Sequence, residues 1–370
     1  MKVFMFPGQG AQARGMGGSL FDEFEELTQK ADQILGYSIR ELCLQDPRRE
    51  LGKTQFTQPA LYVVNALSYY KKLKDSAPPP DYLLGHSLGE FNALLAAECF
   101  DFETGLRLVQ KRGELMGQES SGAMAAILNA TRQEIETILR THGLGNVDLA
   151  NYNTPSQIVI SGLYEEIGRA QQFFQGGQML YYPLNTSGAF HSRFMRPAQE
   201  KFHAFLKGFE FAEPKIPVLA NATARPYEHG EIVATLASQM SNTVRWCESV
   251  QYLMEEAARR GDAVQFEEVG YGDVLTKIVT TIRQQTPAPV AAPAPVAAPA
   301  TTTAKKLTAA EKVAAWNGKF PVGTRVKSLT RSYDSLETRT PAVVLFGHRA
   351  AVYMKGYNGY FDVDEVAPLS

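Results

Sequence analysis

The feature that most constrains this chain is a turn between an apolar strand and a helix, in which two glycines flank a serine. Residues 85–90 read Gly-His-Ser-Leu-Gly-Glu, after an apolar run at 82–84 and before a helix-forming segment at 91–97. A G-x-S-x-G sequence in this context is typical of a sharp turn that exposes a nucleophilic serine. The alternative is a glycine-rich turn with an incidental serine. We call residues 85–89 the elbow, and we predict that Ser87 is a nucleophile.

A nucleophilic serine needs a base, and the chain contains six histidines. His191 follows a turn with three small residues, 187–189, and precedes a helical segment with one apolar face. An imidazole at such a turn lies at the same edge of an α/β sheet as the elbow. We therefore predict His191 as the base, and the alternative is a helix-capping role. His86 lies inside the elbow, where we expect its side chain to point to the opposite side of the turn.

Strands and helices alternate along most of the first 283 residues, which predicts a parallel sheet covered by helices on both faces. The expected strands cover 3–6, 82–84, 217–222 and 264–269, and the expected helices cover 19–35, 59–74, 91–97, 107–116, 231–240 and 274–283. Ser19 and Asp22 resemble a capping box at the start of the first helix. The pattern predicts a large α/β domain formed by residues 1–121 and 188–283.

Residues 122–187 follow a different pattern. The expected elements are strand, helix, strand, strand, helix and strand, which is the order of a ferredoxin-like unit. We predict a small domain inserted into the larger one, with His191 where the chain returns to the large domain. The cleft between the two domains is the expected site.

The last part of the chain is predicted to be separate. Residues 284–304 consist of Pro, Ala, Thr, Val and Gln without any charged residue, which predicts an extended linker over 284–306. Residues 307–370 contain one or two expected helical turns and four short β-like runs. We predict a small SH3-like β-barrel module there. From Lys305 onward the chain has ten lysines and arginines against six aspartates and glutamates, a net charge of +4.

Composition excludes several other classes of protein. No stretch of about 18 apolar residues is present, so we expect no membrane span. The formal net charge of −2 argues against nucleic-acid binding. The three cysteines lie far apart without C-x-x-C spacing, which predicts a reducing, cytoplasmic location and no metal site.

Seven motifs in a fixed order carry a family resemblance. They are FPGQG at 6–10, TQPA at 57–60, GHSLGE at 85–90, RG at 112–113, NYNTP at 151–155, GAFHS at 188–192 and EVG at 268–270. Together they resemble the malonyl-CoA:acyl carrier protein transacylases of fatty acid and polyketide synthesis, an α/β-hydrolase-like family with an inserted ferredoxin-like domain. The resemblance covers residues 1–283 and leaves the linker and the C-terminal module outside.

The resemblance implies roles for individual residues. It makes Ser87 and His191 the catalytic pair and assigns the oxyanion to two backbone N–H groups, those of Gln9 and Leu88. It implies a backbone carbonyl that orients the base, at Gln239, whose side-chain identity should then matter little. The expected substrate-binding residues are Arg112, Phe190, His86 and Asn153.

Arg112 decides the acyl class in this resemblance, because its guanidinium would pair with the free carboxylate of malonate. On the sequence alone Arg112 would be an exposed charge on helix 107–116. Phe190 resembles the malonyl-selective form of the motif, in which a bulky ring leaves little room for an α-methyl group.

The resemblance implies transfer of a malonyl group from malonyl-CoA to the phosphopantetheine thiol of an acyl carrier protein, through an acyl-serine and without a bound cofactor. The added linker and module favour a discrete, trans-acting enzyme of polyketide synthesis, and the basic module is predicted to dock a carrier or synthase protein. The alternatives are a housekeeping transacylase of fatty acid synthesis, an acyl hydrolase that clears stalled carriers, and a non-catalytic binding protein. For the module the alternative is a stabilising appendage.

Overall fold

The computed structural model describes residues 1–119, 121–286, 308–329, 335–345, 349–356 and 360–369. These residues fall into two compact units, one within residues 1–286 and one within residues 308–369. Of the predicted linker, only residues 284–286 are described, and Gln285 still belongs to a helix. The rest of the linker lies outside the described residues.

The first unit alternates strands and helices along the chain. Its strands are β1 Lys2–Phe6, β2 Tyr82–Gly85, β3 Gly122–Leu128, β4 Asp148–Thr154, β5 Gln157–Leu163, β6 Leu180–Pro183, β7 Val218–Ala220, β8 Arg225–Pro226 and β9 Gln265–Glu268. Its helices are α1 Leu20–Glu23, α2 Glu25–Leu35, α3 Ile39–Leu44, α4 Thr54–Lys74, α5 Gly89–Ala96, α6 Phe102–Gln118, α7 Arg132–Thr141, α8 Tyr164–Ala170, α9 Arg196–Leu206, α10 Ile232–Ser238, α11 Trp246–Arg259 and α12 Val274–Gln285.

The main sheet has the strand order β8-β7-β2-β1-β9. All neighbours are parallel except the short β8, which pairs with β7 in the antiparallel direction. Alternate residues of β1 belong to two different hydrophobic clusters, Phe4 and Phe6 to one and Val3 and Met5 to the other. The sheet is therefore buried on both faces, as the alternation of elements predicts.

A second sheet is formed by β3 to β6 in the order β4-β5-β3-β6, and all its pairs are antiparallel. Helices α7 and α8 pack on one face through a cluster that includes Ile127, Ile135 and Ile167. On the opposite face, Met124 and Val159 line a cavity that Ser87 also lines. The elements follow one another along the chain in the predicted order.

Several elements differ from the sequence predictions. The helix expected over 19–35 is divided at Phe24, whose backbone is not helical, and the Ser19 side chain makes no capping hydrogen bond. Helix α4 begins five residues before Pro59, because Thr54, Thr57 and Gln58 are already buried against neighbouring elements. Helices α3 and α11 have no counterpart in the sequence predictions.

The C-terminal unit contains one helix and six short strands among its described residues. They are α13 Ala309–Asn317, β10 Arg325–Ser328, β11 Leu336–Glu337, β12 Val343–Leu345, β13 Arg349–Tyr353, β14 Tyr360–Asp362 and β15 Val366–Pro368. The strands form two antiparallel sheets, β11-β10-β15 and β12-β13-β14, around a core that includes Trp316, Val352 and Phe361. One of the predicted β-like runs covers residues 342–346, and its last residue lies outside the described residues. No helix in the described parts of either unit is long and apolar enough to cross a membrane.

Candidate active site

Ser87 lies in the elbow between β2 and α5 with φ of 50°, a left-handed conformation that is uncommon for a serine. The flanking glycines are required by close backbone contacts. A Cβ atom on Gly89 would lie 2.0 Å from the carbonyl oxygen of Phe6, and one on Gly85 would lie 2.0 Å from the carbonyl carbon of Gly89. Asn221 braces the turn, because its side chain accepts from the Ser87 N–H at 2.7 Å and donates to the Gly85 carbonyl at 2.7 Å.

His191 also has a left-handed backbone, with φ of 57°, and it is 5% exposed. Its Nε2 lies 2.7 Å from Ser87 Oγ, and its Nδ1 lies 2.9 Å from the Gln239 carbonyl oxygen. Because a carbonyl oxygen can only accept, Nδ1 carries the proton and Nε2 is free to accept one from the hydroxyl. Burial, together with the charge of Arg112, lowers the pKa of His191 to about 3, so the ring is neutral at physiological pH.

Arg112 is 1% exposed on α6 and reaches the same hydroxyl, since its Nη2 lies 3.2 Å from Ser87 Oγ. Its Nη1 donates to Gln58 Oε1 and its Nη2 to Gln239 Oε1, each at 2.7 Å. Burial lowers its pKa to about 10, which leaves it charged at neutral pH. Arg112 forms no ion pair with any described residue. The expectation of an exposed charge is therefore wrong for this position.

Gln9 and Leu88 line the same cavity as Ser87. The loop after β1 rests against the elbow, because a Cβ atom on Gly8 would lie 2.2 Å from the His86 carbonyl oxygen. Neither the Gln9 N–H nor the Leu88 N–H donates a hydrogen bond to any group in the described part of the chain. Two free N–H groups beside a buried serine are suited to bind an oxyanion.

The remaining predicted side chains also surround Ser87. A cavity of about 140 Å³ is lined by Gln9, His86, Ser87, Leu88, Arg112, Asn153, Phe190 and His191, among others. His86 Nε2 lies 2.9 Å from Asn153 Oδ1, and its ring centroid is 5.3 Å from that of Trp246. The expectation that His86 points to the opposite side of the turn is wrong in part, because His86 lines the same cavity.

The sequence predictions missed the part that side-chain amides and a carboxylate play in this site. The sequence predictions gave the Gln239 side chain no role, whereas its amide bonds Arg112, the Ser87 carbonyl and Glu90. Gln58 and Glu90 belong to the TQPA and GHSLGE motifs, so their presence in those motifs was the available signal. Asn221 had no such signal.

The arrangement has the parts that acyl transfer through serine requires: a hydroxyl bonded to a neutral imidazole, a carbonyl that orients the imidazole, and free N–H donors. A buried guanidinium beside the hydroxyl adds an anion-binding group. No group of three or more His, Cys, Asp or Glu side chains within the described ranges is arranged to hold a metal ion.

Comparison with known proteins agrees with this geometry. Residues 3–318 match the acyl transferase domain family. The polyketide biosynthesis malonyl CoA-acyl carrier protein transacylase BaeC of Bacillus velezensis is 52% identical over 293 residues, which are 79% of this chain and 100% of that protein.

Two solved structures are each similar to about three quarters of the chain. A malonyl CoA-acyl carrier protein transacylase from Burkholderia pseudomallei is 63% identical with a TM-score of 0.77, over 78% of this chain and 99% of that one. A malonyl-transacylase in complex with its type II polyketide synthase acyl-carrier protein is 34% identical with a TM-score of 0.72, over 76% and 93%. These matches confirm the predicted mixed α/β fold.

Proposed function

The chain belongs to the acyl transferase domain family, and we propose that it transfers a malonyl group from malonyl-CoA to the phosphopantetheine thiol of an acyl carrier protein. One observation carries the proposal: Ser87 Oγ lies 2.7 Å from His191 Nε2 and 3.2 Å from Arg112 Nη2. A base and a cation thus meet at the same hydroxyl. An acyl group on that oxygen would have its far end within reach of the guanidinium, as a carboxylate-bearing acyl group requires.

In the first half of the reaction, Ser87 Oγ attacks the thioester carbonyl carbon while its proton passes to His191 Nε2. The Gln9 and Leu88 N–H groups stabilise the oxyanion, an effect worth about 3 kcal/mol for a donor of this kind. When the carbon–sulfur bond breaks, the imidazolium returns the proton to the sulfur and CoA leaves as a thiol. The product is a malonyl ester on Ser87.

In the second half, the thiol of the carrier's phosphopantetheine arm attacks that ester. His191 takes the thiol proton and returns it to Ser87 Oγ as the ester bond breaks, so both groups end in their starting state. The serine, imidazole and N–H groups supply each proton and charge that these steps need, and the proposed reaction uses no bound cofactor.

Two side chains explain a preference for malonyl groups in this proposal. Arg112 is buried and has no carboxylate partner among the described residues, so a malonyl carboxylate would supply the negative charge that this buried cation lacks. Phe190 is 4% exposed and forms part of the cavity wall, where its ring limits space for an α-methyl group. His86 and Asn153, hydrogen-bonded to each other, line the wall of the same cavity.

The carrier-protein partner and the pathway follow from the relatives. A relative 52% identical over its whole length is a polyketide biosynthesis enzyme, which favours a discrete, trans-acting role in polyketide synthesis over the alternative of housekeeping fatty acid synthesis. Transfer is favoured over hydrolysis, because this chain has both Arg112 and Gln9, whereas a hydrolase of this family commonly lacks one of them. A cytoplasmic location remains a prediction.

We extend the proposal to the domains. Residues 122–187 form a ferredoxin-like domain inserted in an α/β-hydrolase-like one, which the strand order β4-β5-β3-β6 supports. Residues 307–370 form an SH3-like module that docks a carrier or synthase protein, supported by the short antiparallel strands and by the net charge of +4 from Lys305 onward.

Intact-protein mass spectrometry after incubation with malonyl-CoA tests the covalent step. The wild-type protein should gain one malonyl group, and Ser87→Ala should gain none because the acceptor oxygen is missing. Ser68→Ala, a serine that does not line the cavity, is the matched control and should be modified like the wild type. His191→Ala should slow modification by about 10²–10⁴-fold. A malonyl adduct on Ser87→Ala would refute the assignment of the nucleophile.

A further inference from the structure

Glu90 is a buried carboxylate that the proposed reaction does not use. It is 0% exposed in the first turn of α5, three residues after Ser87. Its Oε2 accepts from the Asn221 N–H at 2.9 Å and from Gln239 Nε2 at 3.0 Å, and its Oε1 accepts from the Tyr227 hydroxyl. A buried carboxylate is costly unless its oxygens are bonded in this way.

The carboxylate determines which way the Gln239 amide faces. An ionised carboxylate can only accept, so Gln239 must turn its NH₂ group toward Glu90. The same NH₂ group donates to the Ser87 carbonyl at 2.8 Å. Its Oε1 consequently faces the other way, where it accepts from Arg112 Nη2 at 2.7 Å. With the amide reversed, two donors would meet at Arg112.

A second amide holds the other branch of the guanidinium. Gln58 Oε1 accepts from Arg112 Nη1 at 2.7 Å, and Gln58 Nε2 donates to Thr54 Oγ1 at 3.0 Å. The Thr54 hydroxyl then donates to Gln9 Oε1 at 3.0 Å. The directions of the Gln239 and Gln58 amides are therefore determined by the charged groups beside them, Glu90 and Arg112.

The separation of Glu90 from Arg112 has a chemical consequence. If a carboxylate bonded the guanidinium directly, it would occupy the donors and neutralise the charge that an incoming acyl carboxylate needs. Here a neutral amide stands between the two charged groups. The Nε of Arg112 has no hydrogen-bond partner in the described part of the chain. The guanidinium is therefore held in place by neutral amides, and no carboxylate among the described residues neutralises its charge by direct contact.

We propose that the Gln239 side chain, oriented by Glu90, is a positioning residue for acyl groups that carry a free carboxylate. It holds Arg112 toward Ser87, while its backbone carbonyl separately orients His191. The substrate class is the CoA thioesters of dicarboxylic acids, and the inference rests on the proposed function because it assigns the acyl carboxylate to Arg112.

Gln239→Met tests the inference, because it removes the amide and keeps the backbone carbonyl that bonds His191. Modification of Ser87 is measured at several concentrations of malonyl-CoA and, separately, of acetyl-CoA. The half-saturating concentration of malonyl-CoA should rise by about tenfold or more, as expected when a buried charged donor loses its acceptor. The ratio of the malonyl-CoA efficiency to the acetyl-CoA efficiency should fall by about tenfold or more, because the amide acts through Arg112, whose proposed partner is the malonyl carboxylate that acetyl-CoA lacks.

Three controls separate the outcomes. Tyr62→Phe removes another buried hydrogen bond, from the Tyr62 hydroxyl to the Phe102 carbonyl, and should lower the melting temperature without changing the malonyl-to-acetyl ratio. Arg112→Ala should show the full loss of malonyl preference. If Gln239→Met does not fold, Glu90→Met replaces it, because this variant removes the group that orients the amide. Glu90→Met is expected to lower the malonyl-to-acetyl ratio as well.

An equal loss with both thioesters in Gln239→Met, or in Glu90→Met where that variant replaces it, would show that the network only stabilises the fold and would overturn the inference. Failure of the wild-type protein to form any malonyl ester would instead refute the proposed function, so the two failures are distinguishable.

Discussion

Three ionisable side chains, Arg112, His191 and Glu90, lie buried around Ser87, and a fourth, Tyr227, hydrogen-bonds Glu90. Arg112 stays charged although burial lowers its pKa to about 10, and His191 stays neutral because burial and the Arg112 charge lower its pKa to about 3. Burial raises the pKa of Glu90 to about 6, against the opposing effect of its hydrogen bonds and of Arg112. Burial and the Glu90 charge raise the pKa of Tyr227, which therefore stays protonated. Within the network, only Glu90 is expected to titrate near neutral pH.

This ordering predicts how malonyl binding depends on pH. When Glu90 is protonated on Oε1, its Oε2 still accepts from Gln239 Nε2, so the amide keeps its direction, unlike in Glu90→Met, where the acceptor is removed. A malonyl carboxylate bound at Arg112 repels the ionised Glu90 carboxylate and raises its pKa, so by linkage the malonyl group binds more tightly when Glu90 is protonated. The KM for malonyl-CoA should therefore fall by about three- to tenfold as the pH is lowered from about 8 to about 5. His191 adds no change over this range, since its pKa of about 3 lies well below it.

The measurement is the ratio of KM values for malonyl-CoA and acetyl-CoA at each pH, because the CoA phosphates titrate equally in both. In Glu90→Gln, which has no ionisable group at this position, the ratio should no longer depend on pH. A ratio that falls in the same way in Glu90→Gln would assign the titration to another group.

At the scale of elements, the site depends on how closely the elbow packs on β1. The positive φ values belong to Ser87 and His191, whereas the elbow glycines are needed for the space they leave. The G-x-S-x-G pattern predicts the sharp turn. It does not indicate that the second glycine contacts the Phe6 carbonyl, because that contact joins β1 to the start of α5, which lie far apart in the chain.

Gly89→Ala should therefore destabilise the fold. Its new Cβ would lie 2.0 Å from the Phe6 carbonyl oxygen, a backbone atom that can move only with β1. We expect a loss of about 2 kcal/mol or more in the free energy of unfolding, as for other overpacked sites. The movement would also displace the Leu88 N–H and slow acylation.

Gly168→Ala is the matched control, because Gly168 lies in α8 and its Cβ would have no neighbour within 4 Å. It should be neutral or stabilising by up to about 1 kcal/mol, as expected for an exposed helical glycine. Equal stability of Gly89→Ala and the wild type in denaturant unfolding would contradict the contact described for the elbow.

At the scale of the whole molecule, the first unit contains every residue of the proposed site. The C-terminal unit is compact by itself and has its own core. Because α12 extends to Gln285, where the Gln285 side chain hydrogen-bonds Ser156, a truncation that respects the first unit should end at Thr286.

Truncation at Thr286 tests the docking role of the module. Self-acylation by malonyl-CoA should be unchanged, since the site is complete. The KM for an acidic cognate carrier should rise, because a basic module on a linker increases the local concentration of the carrier. The difference from the full chain should shrink as salt is added. Identical carrier kinetics at low salt would remove the support for docking and favour a stabilising appendage.

The sequence predicted the elements better than it predicted their ends and their contacts. Strand and helix alternation identified every strand of both sheets in the first unit except the two-residue β8, because apolar periodicity is a local property. Helix α11 was missed, although it buries Trp246 and Val250, because no local signal was found for its start. Arg112 looked exposed because its partners, Gln58 and Gln239, lie 54 and 127 residues away in the chain.

What the sequence alone determined is the local chemistry: a serine in a strand-to-helix elbow, a histidine in a small-residue turn, and an alternation of elements that forms a mixed α/β fold. These follow from patterns within a few residues of one another. Only the tertiary structure decided how Arg112 is held and which way the Gln239 amide faces. That amide bonds groups 127, 149 and 152 residues away, and its direction depends on whether each of them donates or accepts a hydrogen bond.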